Sequence, residues 1–153
     1  MFSLKNQILF FYRRLRSGNR FTISLIDSYL KTRYLVFDPR LSIGAESFNP
    51  TLDAFLKEQG EEEWAYLTAF NPRSKILSTE ENQSRNRELK LELNSYLVLE
   101  GEGKGEDSEW VPESSFLVLG ISEKEAILLG KKFQQNAILI GRINRRSKLK
   151  FLY

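Results

Sequence analysis

The chain has 153 residues, 41% hydrophobic and 12% aromatic, enough apolar material to bury one core of ordinary domain size. Charged residues make up 28%, and no apolar run approaches the roughly eighteen needed to cross a bilayer as a helix, so a soluble protein is expected. Neither histidine nor cysteine occurs, which excludes disulfides, thiolate nucleophiles, zinc–cysteine sites and imidazole-based proton relays, and suits a reducing, cytoplasmic compartment.

Any catalysis would therefore fall to carboxylates, Lys, Tyr or Ser, helped by a bound cation. The net charge of +3 conceals an asymmetry. Residues 1–26 carry 5 basic and 0 acidic side chains, residues 27–125 carry 11 and 20, and residues 126–153 carry 7 and 0. Both ends are basic around an acidic middle.

In chain order, Leu4, Ile8, Phe11 and Leu15 recur at helical spacing among Lys5, Arg13, Arg14 and Arg16, which predicts a basic amphipathic segment over residues 1–20. Basic residues follow its apolar stretch instead of preceding it, the reverse of a signal peptide. Residues 21–153 are expected to form a single α+β domain with a basic C-terminal end. Thr22 is a cap for a helix with the stripe Ile23, Ile26 and Leu30. Tyr34 to Phe37 and Arg40 to Ile43 read as a hairpin turning at Asp38-Pro39, and Asn49-Pro50 opens a helix that Gly60 ends.

Trp64 to Phe70 is apolar on both alternating faces, the pattern of an interior strand. Ser78 with Glu81, and Ser122 with Glu125, are capping boxes for helices ending near Leu93 and Phe133. Strands are expected near Tyr96 to Leu99, Phe116 to Leu119, Ala137 to Ile140 and Lys148 to Leu152, with a mobile loop at residues 101–105. That loop carries Glu102, is followed by Glu106, and lacks the ending of a phosphate-binding loop. Hairpins interspersed with crossover helices predict a mixed sheet of about six or seven strands covered by three or four helices.

A candidate site lies where the interior strand ends. Thr68, Asn71, Arg73 and Ser74 sit between a strand terminus and a capped helix, where free backbone N–H groups and a fixed positive charge suit an anion. Asn82 and Arg85 share one helical stripe with Asn86, Leu89 and Leu93, and turn its first half polar at the end nearest that strand. Gln135 and Asn136 add amides at a helix–strand junction. Glu113 is the leading carboxylate for a base or cation ligand. No catalytic residue, metal set or cofactor is assigned.

Trp64 to Ser74, Glu81-Asn82 with Arg85 and Leu89, Trp110 to Ser115, and Phe133 to Ile138 together resemble a bacterial family known as domain of unknown function 3293. The resemblance covers about residues 26–141, with Tyr29, Thr32 and Tyr34 fitting the family's start. Phe70 stands where Trp is usual and Gln134 where Gly is usual. The resemblance implies a grouping and no activity.

The sequence therefore favours binding of a polar or anionic small ligand or peptide at a strand-end pocket. Two other readings stand beside it. One is an interaction module that uses the basic termini, Arg142, Arg145, Arg146, Lys148 and Lys150 among them, on nucleic acid or anionic membrane. The other is a carboxylate-dependent metal enzyme.

Overall fold

A computed structural model describes residues 22–107 and 109–153, and the basic segment expected over residues 1–20 lies outside them. Helix α1 (Ile23–Lys31) starts where the Thr22 hydroxyl accepts from the Leu25 N–H at 3.1 Å. Of its expected apolar stripe only Ile26 is buried. Strands β1 (Arg33–Val36) and β2 (Leu41–Ile43) form the anticipated hairpin. Helix α2 (Pro50–Glu58) follows, with Asn49 capping the Leu52 N–H and Pro50 in the first turn.

The central strand β3 (Glu63–Leu67) leads through a short turn at Pro72–Ser74 to helix α3 (Thr79–Glu92). A long hairpin, β4 (Leu97–Lys104) and β5 (Glu113–Leu119), then helix α4 (Glu123–Lys132), β6 (Ala137–Arg142) and β7 (Lys148–Phe151) complete the described chain. Both serine N-caps form, with Ser78 accepting from the Glu81 N–H and Ser122 from the Glu125 N–H.

The fold is α+β, with four helices and a seven-stranded sheet in the order β2-β1-β4-β5-β3-β6-β7 among the described residues. Every neighbouring pair is antiparallel, which corrects the expected mixed sheet. The crossovers do join parallel strands, but those strands are never neighbours. β5 sits between β3 and β4, and β3 sits between β5 and β6. The stretch β3-α3-β4-β5-α4-β6 is thus a pair of interlocked split βαβ units, the ferredoxin-like arrangement.

The mobile loop expected at residues 101–105 is also corrected. Residues 101–104 are part of β4 and pair on both sides, Gly101 with Val36 and Ser115, Gly103 with Tyr34 and Glu113. Close approach explains the glycine at 101, because a Cβ there would lie 1.8 Å from the Leu35 carbonyl oxygen.

Side chains divide by strand parity. Ala65 and Leu67 of β3 join Phe116, Val118, Ile138 and Ile140 in a core covered by Leu89 and Leu93 of the α3 region and Ala126 of α4. Trp64 and Tyr66 join Val36, Leu117, Leu119 and Leu139 on the other face, closed at one end by Leu52 and Leu56 of α2. The sheet curls around this second face until its two edges meet. The Glu46 N–H donates to the Ser147 carbonyl and the Ser147 N–H to the Ser47 carbonyl, each at 3.0 Å.

Close packing of Trp64 depends on its cross-strand partner Gly141, where a Cβ would lie 2.4 Å from the indole ring. Gly141→Ala is expected to cost about 1–3 kcal/mol by overpacking, read as a lower urea midpoint with unchanged slope.

Candidate functional site

β3 ends at Leu67 because the next residues turn into the protein and exchange the sheet ladder for side-chain partners. The Ala69 N–H donates to Asn86 Oδ1 at 2.8 Å, and the Asn71 N–H to Asn82 Oδ1 at 2.8 Å. Arg85 Nε donates to the Ala69 carbonyl at 2.7 Å, and Gln135 Nε2 to the Phe70 carbonyl at 2.9 Å. Arg85 also donates through Nη2 to the Phe133 carbonyl at the end of α4. These contacts explain why the first half of the α3 stripe is polar: its amides and guanidinium satisfy backbone that has left the sheet.

The turn itself holds three non-glycine residues at positive φ, Asn71, Arg73 and Ser74. Its N–H groups are engaged, with Arg73 donating to Gln134, Ser74 to Asn71 and Lys75 to Pro72 carbonyls. The Leu77 N–H, before α3, donates to Asn71 Oδ1 at 3.0 Å, and α3 opens on Glu80 and Glu81. The N–H groups of the turn are therefore occupied, and acidic side chains follow at the start of α3.

Behind this turn, between α1 and the inner face of the sheet, lies a cavity of about 560 Å³. Five of the eight expected residues line it: Thr68, Asn71, Ser74, Gln135 and Asn136. Asn82, Arg85 and Arg73 do not. Asn82 and Arg85 are committed to the backbone contacts above, and the Arg73 guanidinium lies 5.2 Å over the Tyr153 ring.

The cavity wall is an ordered network. Asn136 Nδ2 donates to Ser74 Oγ at 2.8 Å, the Thr68 hydroxyl donates to the Ser114 carbonyl at 2.8 Å, and Asn71 Nδ2 donates to Glu113 Oε1 at 2.8 Å. Three tyrosines complete it. Tyr34 donates to the Tyr29 carbonyl at 3.2 Å, Tyr66 donates to the Leu35 carbonyl, and the Tyr34 and Tyr66 rings meet edge-on at 5.3 Å. Tyr29 of α1 also lines the cavity, its ring 5.9 Å from Phe151 and its hydroxyl against Ser74 and Asn136.

Sequence reasoning missed the tyrosines and the two glycines of β4 as site components. Tyr34 and Tyr66 read as core aromatics, and a glycine-rich segment reads as a loop until its strand partners are known.

Burial raises all three phenols above their ordinary value, while contacts with Ser74 and Asn136 offset part of the effect at Tyr29. Burial also raises the Glu113 carboxyl, opposed by the hydrogen bond from Asn71. Among the described residues, no group of three or more acidic side chains converges as metal ligands.

The basic C-terminal end is partly consumed by ion pairs. Arg142 pairs with Glu62 at 3.1 Å and with Glu63, Lys150 pairs with Glu123 at 3.4 Å, and Arg146 lies 5.3 Å over the Phe48 ring. The N-terminal basic cluster lies outside the described residues. Among the described residues, no helix is long and apolar enough to cross a membrane.

Residues 67–138 match the family described as Protein of unknown function (DUF3293). The match is narrower than the span of about 26–141 read from the sequence, so Tyr29, Thr32 and Tyr34 fall before it. Comparison with curated proteins and with solved structures finds no match.

Two outcomes follow from this geometry. Asn82→Ala leaves the Asn71 N–H without its partner and should cost about 1–3 kcal/mol in urea unfolding, although Asn82 does not line the cavity. Glu113 behaves oppositely. Its folded-state pKa lies above the unfolded value of 4.5, so its contribution is favourable below that value and is lost as pH rises through the folded one. Glu113→Gln should therefore raise the melting temperature at neutral pH, with the gain vanishing below 4.5.

Proposed function

We propose that this chain is a bacterial cytoplasmic binding protein whose cavity, between α1 and the inner face of the sheet, holds a small polar ligand or a peptide side chain. The observation that carries the reading is the cavity itself. It measures about 560 Å³, within the roughly 300–1,000 Å³ usual for ligand sites, and its wall combines aromatic rings with a few fixed polar groups. The cytoplasmic setting is supported by the absence of cysteine, and the bacterial one by the family resemblance.

Burial raises the phenols of Tyr29, Tyr34 and Tyr66, which keeps them neutral hydrogen-bonding groups in the wall. An anionic ligand loses its support, because neither Arg73 nor Arg85 lines the cavity.

Gly103 provides the test. It lines the cavity, and a Cβ there meets nothing closer than 3.9 Å, so a side chain can start from this position without a clash at its first atom. In a thermal-shift screen of amines, amino acids, nucleosides and sugars, a true ligand should raise the melting temperature of the wild type and not that of Gly103→Leu. Equal shifts in both proteins would overturn the assignment.

A further inference from the structure

We infer that the group received by this cavity is an organic cation, an ammonium or guanidinium head on an apolar stem, with Glu113 as its counter-charge. The inference rests on the reading of the cavity as a binding site. Glu113 Oε1 is held by Asn71, which fixes the carboxylate in place, while its second oxygen has no hydrogen-bond or ion-pair partner among the described residues. Burying a carboxylate beside uncharged groups is unfavourable, and a positive ligand would offset that cost in the bound state.

The surrounding charge points the same way. Asp27, Glu106, Asp107 and Glu113 line the space against Lys31, and Lys31 is itself paired with Asp27 at 2.8 Å and Glu106 at 3.4 Å. Among the described residues, an anion entering there would meet more acidic than basic side chains. A cation would meet Glu113, with Tyr34 and Tyr66 lining the same cavity.

The mouth supplies the other half of the ligand. Ile76, Trp110 and Val111 belong to the cavity lining yet are 74%, 59% and 80% exposed, an apolar rim around a polar interior. A molecule with its charge inward and its apolar stem against this rim satisfies both regions. A lysine or arginine side chain of a peptide and a free alkylamine share that chemistry.

The test uses the full chain and calorimetric titration with probes sharing one stem: phenethylammonium, phenethylguanidinium, phenethyl alcohol and phenylpropanoate. A parallel arm uses acetylated, amidated tripeptides with Lys, Arg or Gln between two alanines. At least one cation is expected to bind about tenfold or more tightly than the alcohol, with the carboxylate weakest. Glu113→Gln should abolish that preference, and cation binding to the wild type should weaken as pH falls through the Glu113 pKa, a check that needs no variant. The tighter of the two arms identifies a free amine or a peptide as the source.

Alcohol binding as tight as the ammonium, or a preference that survives Glu113→Gln, would overturn the cationic assignment while leaving the cavity as a binding site. No binding by any probe in either arm would overturn both readings.

Discussion

The organisation of this protein depends on how the chain leaves its central strand. Residues 69–71 turn inward where no neighbouring strand can take their hydrogen bonds, and buried backbone without partners is strongly unfavourable. Asn86, Asn82, Arg85 and Gln135 supply those partners from α3 and from the junction after α4. Asn86 also donates to the Ser114 carbonyl at 2.8 Å, so one amide holds the end of β3 against the start of β5. With the turn fixed, Asn71 is held in its left-handed conformation and Glu113 is pinned beside it. The cavity wall inherits its rigidity from this backbone accounting.

Much of the secondary structure was legible because its signals are local. Thr22, Asn49, Ser78 and Ser122 all cap the helices they announce, and the hairpin at Asp38-Pro39 forms where a proline between short strands demands it. Pairing direction was less accessible. It depends on which strand inserts between the ends of each crossover, and that choice is made by the whole sheet. The segment at residues 101–105 shows the same limit, since the residue that explains Gly101 is Leu35, far away in sequence.

The candidate site was legible in position and only partly in role. Thr68, Asn71, Ser74, Gln135 and Asn136 do share a cavity. Arg85 illustrates why residue type alone misleads: a guanidinium near a strand end can receive an anion or satisfy carbonyls, and here it takes those of Ala69 and Phe133. The family match covers the wall that carries Asn71, Glu113 and Asn136, whereas Tyr29 and Tyr34 on the facing wall precede it. Glu113 thus falls within the matched stretch, whereas Tyr29, Tyr34 and Tyr66 lie outside it.

The meeting of the two sheet edges bears on how this protein keeps its own company. An open edge strand offers unpaired N–H and C=O groups to any extended segment nearby, the usual route to strand addition and to aggregation. Here the segment after β2 and the start of β7 occupy each other, with the Ser147 hydroxyl adding a bond to the Gly44 carbonyl. Lys148 and Lys150 stand exposed along the remainder of β7. A second chain approaching that edge would have to break these contacts and bury lysines.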